Sequence, residues 1–465
     1  MEVSMYQIDF NKPIHMHFIG IGGISMSGLA EILLERGFTI SGSDSARSDL
    51  TDHLSSKGAH IFIGQCAENI TDDIDVVVYT AAIRPDNPEF EAVKNKNIPM
   101  LTRAELLGEI MRNYPLPIAI AGTHGKTTTT SMVASAFLEA KTDPTITVGG
   151  ILPSIGSNIA IGGGDAFIAE ACEYTNSFLS FFPKIGVILN VDADHLDFFK
   201  DLDDIASSFH RFAALIPEDG ALIINKDTQK YKTVVDGLTC PIITYALNDK
   251  TADYTAENID IHSAGGSVFT CLENGKVIGE VVLNVPGMHN VSNALATIAT
   301  ARHAGLSMDA IIKGLASFGG TKRRFEKKGF KGGLEIIDDY AHHPTEIAAT
   351  LKAAASYPHR ELYVAFQPHT YTRTKALLPE FAQALCTADH VLLADIYAAR
   401  EKDTLGISSD DLRVLLAEKG CDAHYLGTFE KIEDYISTHA VDGDLLITMG
   451  AGDIYKVGEN LLSQS

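Results

Sequence analysis

The sequence of 465 residues predicts an α/β protein of three domains. Short apolar runs alternate with helical patterns before residue 112 and again after residue 322, which is typical of parallel sheets covered by helices. Two prolines in residues 114–117 mark a linker, and Asn274-Gly275 signals a hairpin in a stretch of short strands. We therefore expect a Rossmann-like N-terminal domain over 1–112, a central domain with a small added β-sheet over 113–321, and a Rossmann-like C-terminal domain over 322–465.

Composition excludes several classes of partner. The net charge of −23 argues against a nucleic-acid surface and against docking on anionic lipid, since both require a basic footprint. No run of about 20 apolar residues exists, so no membrane span is expected. Six scattered cysteines without a C-x-x-C pattern, and a first segment without a basic and apolar leader, predict a cytoplasmic protein with unpaired thiols. The sequence leaves open whether the protein is a monomer or a homodimer.

The central domain opens on a candidate phosphate loop. An apolar run ends at Ala121, a glycine-bounded loop follows, and a lysine and several threonines begin a helix. Backbone N–H groups in such a loop and the positive end of the helix bind phosphate oxygens. The strict pattern G-x-x-x-x-G-K-[ST] would need glycine where Ile120 stands, so this is a shorter form. The loop predicts a P-loop-type nucleotide phosphate site made of Gly122, Thr123, His124, Gly125, Lys126, Thr127 and Thr128.

Two later strands of this domain end in candidate metal ligands. An apolar run that ends at Ala169 leads into Glu170, and another leads into a stretch containing Asp192, Asp194 and His195. Mg²⁺ uses few protein ligands and keeps water and phosphate oxygens, so Glu170 and His195 with Thr127 predict a Mg²⁺ site. Histidine is an unusual ligand for so hard a cation, and a loop histidine without a metal is the alternative.

The N-terminal domain starts with a βαβ unit whose glycines do not complete a dinucleotide fingerprint. Gly20, Gly22 and Gly23 precede a helical pattern, but Ser25 occupies the place of the third glycine. Three interpretations of these glycines remain open: they bind a nicotinamide cofactor, they bind another diphosphate at the helix N-terminus, or they serve only tight packing. Thr80 follows a further buried strand at the edge where open α/β sheets bind ligands.

Further polar residues lie where a nucleotide and a second substrate could meet. His289 and Asn293 begin an alanine-rich helix and are either base contacts or capping residues. Arg323 and Arg324 follow a Gly-Gly step, and they either reach a phosphate across the domain boundary or are solvated. Polar loops at strand ends of the C-terminal domain carry Tyr340, His342 and Arg373.

The motifs of the whole chain, taken in order, resemble those of the Mur ligase family, the ATP-dependent amide-forming enzymes of peptidoglycan synthesis. The carrying strings are HFIGIGGISMSGLA, AGTHGKTTT, EACEYTNSFL, LNVDADHLD, PGMHNVSNALA, RRFE, DDYAHHPTE, QPHTYTR and MGAGDI. The resemblance is strongest to the branch that adds L-alanine to the lactyl carboxylate of UDP-N-acetylmuramate through an acyl phosphate. It implies ATP and Mg²⁺ as cofactors and three domains that hold the UDP-sugar, the ATP and the amino acid in that order.

The resemblance also implies a role for each matching residue. The UDP-sugar would contact Gly22, Gly23, Ser25 and Thr80, and ATP would contact His289, Asn293 and one of Arg323 and Arg324. The metal would be held by Thr127, Glu170 and His195. The amino-acid end of the site would be formed by Tyr340, His342 and Arg373, and the catalytic residues would be Lys126, His342 and Arg373. No motif for the carbamylated lysine of other family members is present, so none is expected. The alternatives are a related ligase that attaches a recycled tripeptide to the same sugar nucleotide and, from other classes, a nicotinamide-dependent oxidoreductase or a non-catalytic ATP-gated binding protein.

Overall fold

A computed structural model describes residues 6–80, 83–84, 86–196, 198–262, 266–355, 357–399 and 401–463. Within these residues three sheets follow one another along the chain, and each is covered by helices. The predicted α/β class with three sheet domains is confirmed.

The first sheet is parallel and has the strand order β3-β2-β1-β4-β5. Its order reverses between β1 and β4, so a crevice opens at the carboxyl ends of these strands, where open α/β sheets bind ligands. The elements are β1 His15–Ile19, α1 Ile24–Glu35, β2 Thr39–Asp44, α2 Asp49–Ser56, β3 His60–Ile63, a 3₁₀ turn Ala67–Asn69, β4 Val76–Tyr79, α3 Pro88–Lys96, β5 Met100–Thr102 and α4 Arg103–Met111.

The second sheet has ten strands in the order β15-β14-β13-β12-β11-β10-β6-β9-β7-β8. The strands β13 to β15 form the expected antiparallel hairpins, with Asn274 and Gly275 at positive φ in the last turn, but they continue the central sheet through a parallel β12–β13 pair. The elements are β6 Leu116–Ala121, α5 Lys126–Glu139, β7 Thr145–Leu152, β8 Ser157–Ala160, β9 Ala166–Glu170, a 3₁₀ segment Tyr174–Ser180, β10 Ile185–Ile188, α6 Leu202–Ala213, β11 Ala221–Asn225, α7 Tyr231–Val235, β12 Ile242–Ala246, β13 Tyr254–His262, β14 Gly266–Glu273, β15 Lys276–Leu283, α8 Met288–His303 and α9 Met308–Ser317.

The third sheet has the order β16-β17-β21-β18-β19-β20 and is parallel except for the edge strand β16. The elements are β16 Glu326–Lys331, β17 Leu334–Asp339, α10 Pro344–Ala355, β18 Leu362–Phe366, α11 Tyr371–Ala376, α12 Leu378–Leu385, β19 His390–Ala394, α13 Ser409–Glu418, β20 Asp422–Gly427, α14 Phe429–His439, β21 Leu445–Met449 and α15 Tyr455–Ser463.

One apolar core runs from the first sheet into the second. It includes Leu29 and Leu107 of the first domain together with Phe167 and Phe178 of the second, all of them buried. Close backbone approach across this boundary depends on glycine, because a Cβ on Gly108 of α4 would lie 1.9 Å from the carbonyl oxygen of Ser180. The first two domains are therefore packed together as tightly as a single core.

One feature of the cysteines differs from the expectation of unpaired thiols. Cys386, which follows α12, is joined in a disulfide to Cys421, which precedes β20, and their Cα atoms are 5.5 Å apart. The expectation is wrong for this pair, because a separation of 35 residues along the chain carries no sign that the two positions meet in space. No helix among the described residues has the length and apolar character needed to cross a membrane.

We predict that Gly108→Ala destabilises the protein by roughly 1–3 kcal/mol, since the added methyl group must push α4 away from the Ser180 carbonyl. Chemical denaturation monitored by circular dichroism measures this change. Gly319→Ala is the matched control, because a Cβ there meets no heavy atom within 4 Å. Equal unfolding midpoints for the two variants would contradict the close packing described above.

Candidate active site

The phosphate loop connects β6 to α5 and uses glycine at both of its bends. Gly122 and Gly125 have φ of +147° and +83°, which side-chain-bearing residues rarely adopt. A Cβ on Gly122 would lie 2.8 Å from the side chain of Leu189, and one on Gly125 would lie 2.9 Å from Oδ1 of Asn293. The two glycines therefore allow the loop to fit between β10 and α8, with α5 beginning directly at Lys126.

Asn190 fixes the middle of this loop, and the sequence analysis did not identify it. Its Oδ1 accepts the His124 backbone N–H at 2.8 Å, and its Nδ2 donates to the His124 carbonyl at 3.0 Å. The Thr123 hydroxyl accepts the Asp192 N–H at 2.9 Å. The position of Asn190 just after an apolar strand, beside the loop strand, was the available signal.

Lys126 forms a buried ion pair with Glu173, a second residue that the sequence analysis missed. Its Nζ lies 2.9 and 3.2 Å from the two carboxylate oxygens, and it also donates to the carbonyls of Gly122 and Thr123. The Glu173 side chain is 2% exposed. Burial lowers the pKa of Lys126, but the Glu173 carboxylate outweighs burial and raises that pKa above its ordinary range, so the ammonium stays charged.

Thr127 and Glu170, two of the three predicted metal ligands, lie side by side. The Thr127 hydroxyl donates to Oε2 of Glu170 at 2.9 Å, and the Gly149 N–H donates to the same oxygen at 2.8 Å. His195 pairs instead with Glu173 and Asp194, with its Nε2 at 3.9 and 3.8 Å from their carboxylates. A hydroxyl and a carboxylate are hard oxygen donors of the kind Mg²⁺ takes, so this pair fits the cation. Within the described residues no group of three or more His, Cys, Asp or Glu side chains is arranged to hold a metal, so phosphate and water oxygens would complete the shell.

A cavity of about 210 Å³ lies between the phosphate loop, α8 and the C-terminal domain. It is walled by apolar residues such as Phe318 and by predicted nucleotide contacts. Burial lowers the pKa of His289 to about 4, so this imidazole is neutral and can accept a hydrogen bond. The sequence-predicted residues that line the cavity are His124, Gly125, Thr128, His289, Asn293 and Arg324.

The two neighbouring arginines point to different places. Arg323 donates to Asp338 at 3.0 Å and to the Gly450 carbonyl at 2.7 Å, so its guanidinium is held inside the C-terminal domain. Arg324 lines the nucleotide cavity, 4.0 Å from Glu346. The geometry thus favours Arg324 over Arg323 as the phosphate contact. Tyr340 lies between these arginines, with its ring centroid 4.8 and 5.1 Å from their guanidinium carbons.

A second cavity, of about 690 Å³, contains Arg373 and His195 in its wall. Arg373 lies 3.3 Å from the Asp194 carboxylate across the boundary between the central and C-terminal domains, and 3.4 Å from Nδ1 of His369. Burial and the nearby Arg373 lower the pKa of His369 to about 4. The Arg373 guanidinium in this wall can bind a carboxylate, and the neutral His369 imidazole beside it carries no charge of its own.

His342 lies next to this wall, with its ring 5.8 Å from that of His369. Its Nδ1 is 3.0 Å from the Tyr340 carbonyl oxygen and 3.3 Å from Oε2 of Glu346. Burial lowers the pKa of His342 to about 4, so the ring is neutral at physiological pH. Glu346, which also lies 3.3 Å from Nδ1 of His124, is a third residue that the sequence analysis did not single out.

The crevice of the first sheet contains the four predicted UDP-sugar residues. Gly23 is the N-cap of α1, and Ser25 in its first turn accepts a hydrogen bond from Arg103 at 3.2 Å. A Cβ on Gly20 would lie 3.3 Å from the Thr80 methyl group, so the ends of β1 and β4 meet here. The Gly22 N–H donates to the Asp44 carboxylate at 2.9 Å. Arg103 thus adds a cation beside a helix N-terminus, which favours an anionic ligand.

The fold and the site define a three-domain α/β protein with a phosphate loop at its centre and polar clefts on both sides. Residues 15–115 match the catalytic domain of the Mur ligase family, residues 120–301 match the Mur ligase middle domain, and residues 323–452 match the Mur ligase glutamate ligase domain. The chain belongs to the Mur ligase family.

Its relatives agree over the full length. The chain is 59% identical to UDP-N-acetylmuramate–L-alanine ligase of Agathobacter rectalis over 460 residues, which cover 99% of the chain and all of that relative. The same ligase from Lachnospira eligens is 58% identical over 98% of the chain and all of that relative. The structure is similar to UDP-N-acetylmuramate–alanine ligase from Thermotoga maritima, with a TM-score of 0.79, 29% identity and coverage of 97% and 99% of the two chains. It is also similar to a murein peptide ligase from Psychrobacter arcticus, with a TM-score of 0.69, 26% identity and coverage of 97% and 98%.

We predict that Lys126→Ala lowers kcat by about 100-fold or more and also lowers the free energy of unfolding by roughly 3 kcal/mol. Activity falls because a cation at the phosphates is lost, and stability falls because the Glu173 carboxylate remains buried without its partner. Turnover and urea denaturation measure the two effects. Lys126→Ala combined with Glu173→Gln should recover stability but not turnover. If Lys126→Ala alone were as stable as the wild type, the burial of the Glu173 carboxylate would not depend on its ion pair with Lys126.

We predict that His289→Gln makes folding stability less dependent on pH. The folded chain keeps His289 neutral down to about pH 4, whereas the unfolded chain protonates this imidazole near its ordinary pKa of 6.5. The unfolded state therefore binds the extra proton between these values, and stability falls as the pH is lowered through this range. Denaturation midpoints between pH 7 and pH 4.5 should decline less steeply in the variant. The exposed His60→Gln is the control, and parallel curves for wild type and His289→Gln would rule out the neutral buried imidazole.

Proposed function

We propose that the chain is the ATP-dependent ligase that joins L-alanine to the lactyl carboxylate of UDP-N-acetylmuramate through an acyl phosphate. The observation that carries this proposal is the phosphate loop with its charged Lys126, whose neighbours His124, Gly125 and Thr128 line the nucleotide cavity. The names of the relatives at 58–59% identity over nearly the whole chain support the same substrates.

Phosphorylation of a carboxylate by ATP brings two anions together, so the site must neutralise charge. Lys126 and the N-terminus of α5 supply fixed positive potential at the loop, and Arg324 adds a cation from the C-terminal domain. Thr127 and Glu170 would hold Mg²⁺, which when bound polarises the phosphate oxygens. His195 pairs with Glu173 and Asp194, so we assign Mg²⁺ to Thr127 and Glu170.

The UDP-sugar fits the crevice of the first sheet. The diphosphate would lie against Gly23, Ser25 and the N-terminus of α1, with Arg103 as an additional cation and Thr80 on the facing strand end. Because the first two domains share a core, the sugar nucleotide is held on the same rigid body as the phosphate loop.

The amino acid would bind at the wall formed by the C-terminal domain. Arg373 would receive its carboxylate, His342 lies next to His369 of the same wall, and the Tyr340 ring packs against the His342 ring. The incoming ammonium group must lose a proton before it can attack. We propose His342, whose ring is neutral, as the group that receives that proton.

Two observations separate this proposal from its alternatives. The relatives that are 58–59% identical over nearly the whole chain are named as ligases for L-alanine, which favours L-alanine over a tripeptide. The Asp44 carboxylate is bonded to the Gly22 amide, and Ser25 replaces the third glycine, which weighs against a nicotinamide cofactor. We accordingly propose small-molecule substrates, action in the cytoplasm where ATP is available, and no nucleic-acid or membrane partner.

The assay is phosphate release with each component omitted in turn. We expect release only when ATP, Mg²⁺, UDP-N-acetylmuramate and L-alanine are all present, with chelation of Mg²⁺ abolishing it. L-Ala-γ-D-Glu-diaminopimelate in place of L-alanine should give little or no release. Preference for the tripeptide would assign the chain to the recycling ligases instead, and an absence of ATP hydrolysis under all conditions would refute the ligase proposal.

A further inference from the structure

Glu346 connects the two ends of the active site. It is the third residue of α10, and its side chain is 14% exposed. Its Oε1 lies 3.3 Å from Nδ1 of His124 in the phosphate loop. Its Oε2 accepts the His342 backbone N–H at 3.1 Å and lies 3.3 Å from Nδ1 of the same residue. One carboxylate therefore contacts the nucleotide side and the amino-acid side at once.

The contacts of His342 determine its tautomer. Both groups near Nδ1, the Tyr340 carbonyl and the Glu346 carboxylate, can only accept hydrogen bonds. Nδ1 must therefore carry the proton, which leaves the lone pair on Nε2. A neutral imidazole with its lone pair on Nε2 is the form that a general base requires.

We propose that Glu346 is a positioning residue that fixes the Nδ1–H tautomer of His342, so that Nε2 takes the proton of the incoming amine, and that ties this base to His124 of the phosphate loop. This inference rests on the proposed function. Because the same carboxylate also contacts His124, the base is held close to the phosphate loop in this structure.

The proposed step removes two protons from nitrogen, forms one C–N bond and breaks one C–O bond. The ammonium group of the amino acid gives one proton to Nε2, and the lone pair that is freed forms the C–N bond at the acyl carbon. The C–O bond to phosphate then breaks with its electron pair on the leaving phosphate, which also takes the second proton from nitrogen. Glu346 gains and loses nothing in this sequence, since it acts only through the orientation of His342.

The test must distinguish a purely structural role of Glu346, which is to cap α10, from its proposed role in positioning His342. Its bond to the His342 N–H is of the kind that caps a helix N-terminus, and glutamine makes the same bond. Glu346→Gln thus retains the cap while it removes the charge that favours Nδ1–H. Glu335→Gln is the matched control, because Glu335 is a largely buried carboxylate of the same domain that pairs with Lys327 and Tyr357 away from the site.

The test compares two nucleophiles in the full reaction with ATP, Mg²⁺ and UDP-N-acetylmuramate. L-Alanine is protonated near neutral pH and needs a base, whereas hydroxylamine is already unprotonated and traps the acyl phosphate as a hydroxamate. For Glu346→Gln we expect at least about a tenfold loss of kcat with L-alanine and a hydroxamate rate within about threefold of wild type. Glu335→Gln should leave both rates unchanged.

The remaining outcomes contradict either the role of Glu346 or the proposed function. An equal loss with both nucleophiles would place Glu346 in phosphate transfer or in folding and would overturn the inference. No loss with L-alanine would also overturn it. Wild-type protein that releases phosphate with neither nucleophile would instead refute the proposed function, so the two failures are distinguishable.

Discussion

The arrangement of the active site depends on the buried ion pair between Lys126 and Glu173. Burying two charges costs free energy that is recovered only when their geometry is good and their remaining hydrogen bonds are satisfied. Here the two loop carbonyls of Gly122 and Thr123 complete the shell of the ammonium, so the pair also fixes the curvature of the loop. The strand ends of β6 and β9 must be adjacent for this pair to form, as they are in the central sheet. The same adjacency brings Thr127 against Glu170 and so creates the position where a cation and phosphates can share oxygens.

The two domain boundaries have different chemistry, and this difference assigns them different tasks. The boundary between the first two domains is apolar and relies on backbone contact at Gly108, so it resembles the interior of one domain. Between the central and C-terminal domains the contacts are charged, including Arg373 with Asp194 and His124 with Glu346. Polar interfaces of this kind are typical of domains that move relative to each other. A sugar nucleotide bound on the first domain as proposed would therefore keep a fixed distance from the phosphate loop, whereas the proposed amino-acid end lies across the boundary whose contacts are polar.

Local patterns predicted the parts of this protein that depend on local physics. Strand and helix alternation, the hairpin at Asn274-Gly275 and the phosphate loop all follow from residues a few positions apart, and the structure contains each of them. Glu173, Asn190 and Glu346 were missed because their meaning lies in partners that are 47 to 222 positions away. Sequence spacing shows an acid or an amide at a strand or helix end, where capping is the usual explanation, and carries no information about which loop lies opposite. The disulfide was not predicted for the same reason, since Cys386 and Cys421 are 35 positions apart along the chain.

The opposite pKa shifts of His124 and His342 follow from their surroundings even though both touch one carboxylate. Burial lowers the pKa of both rings. At His124 the bond to Glu346, reinforced by Asp192, outweighs burial and raises the pKa above 6.5. At His342 burial exceeds the attraction of Glu346, and the positive charge of Arg373 acts in the same direction, so the pKa falls to about 4. Glu346 itself stays ionised because both histidines and Arg324 hold its pKa well below the ordinary range, against the effect of burial. Glu346 therefore favours the protonated form of His124 on the phosphate side, while His342 on the amine side stays neutral, and positive charge at the phosphates is what stabilises phosphoryl transfer.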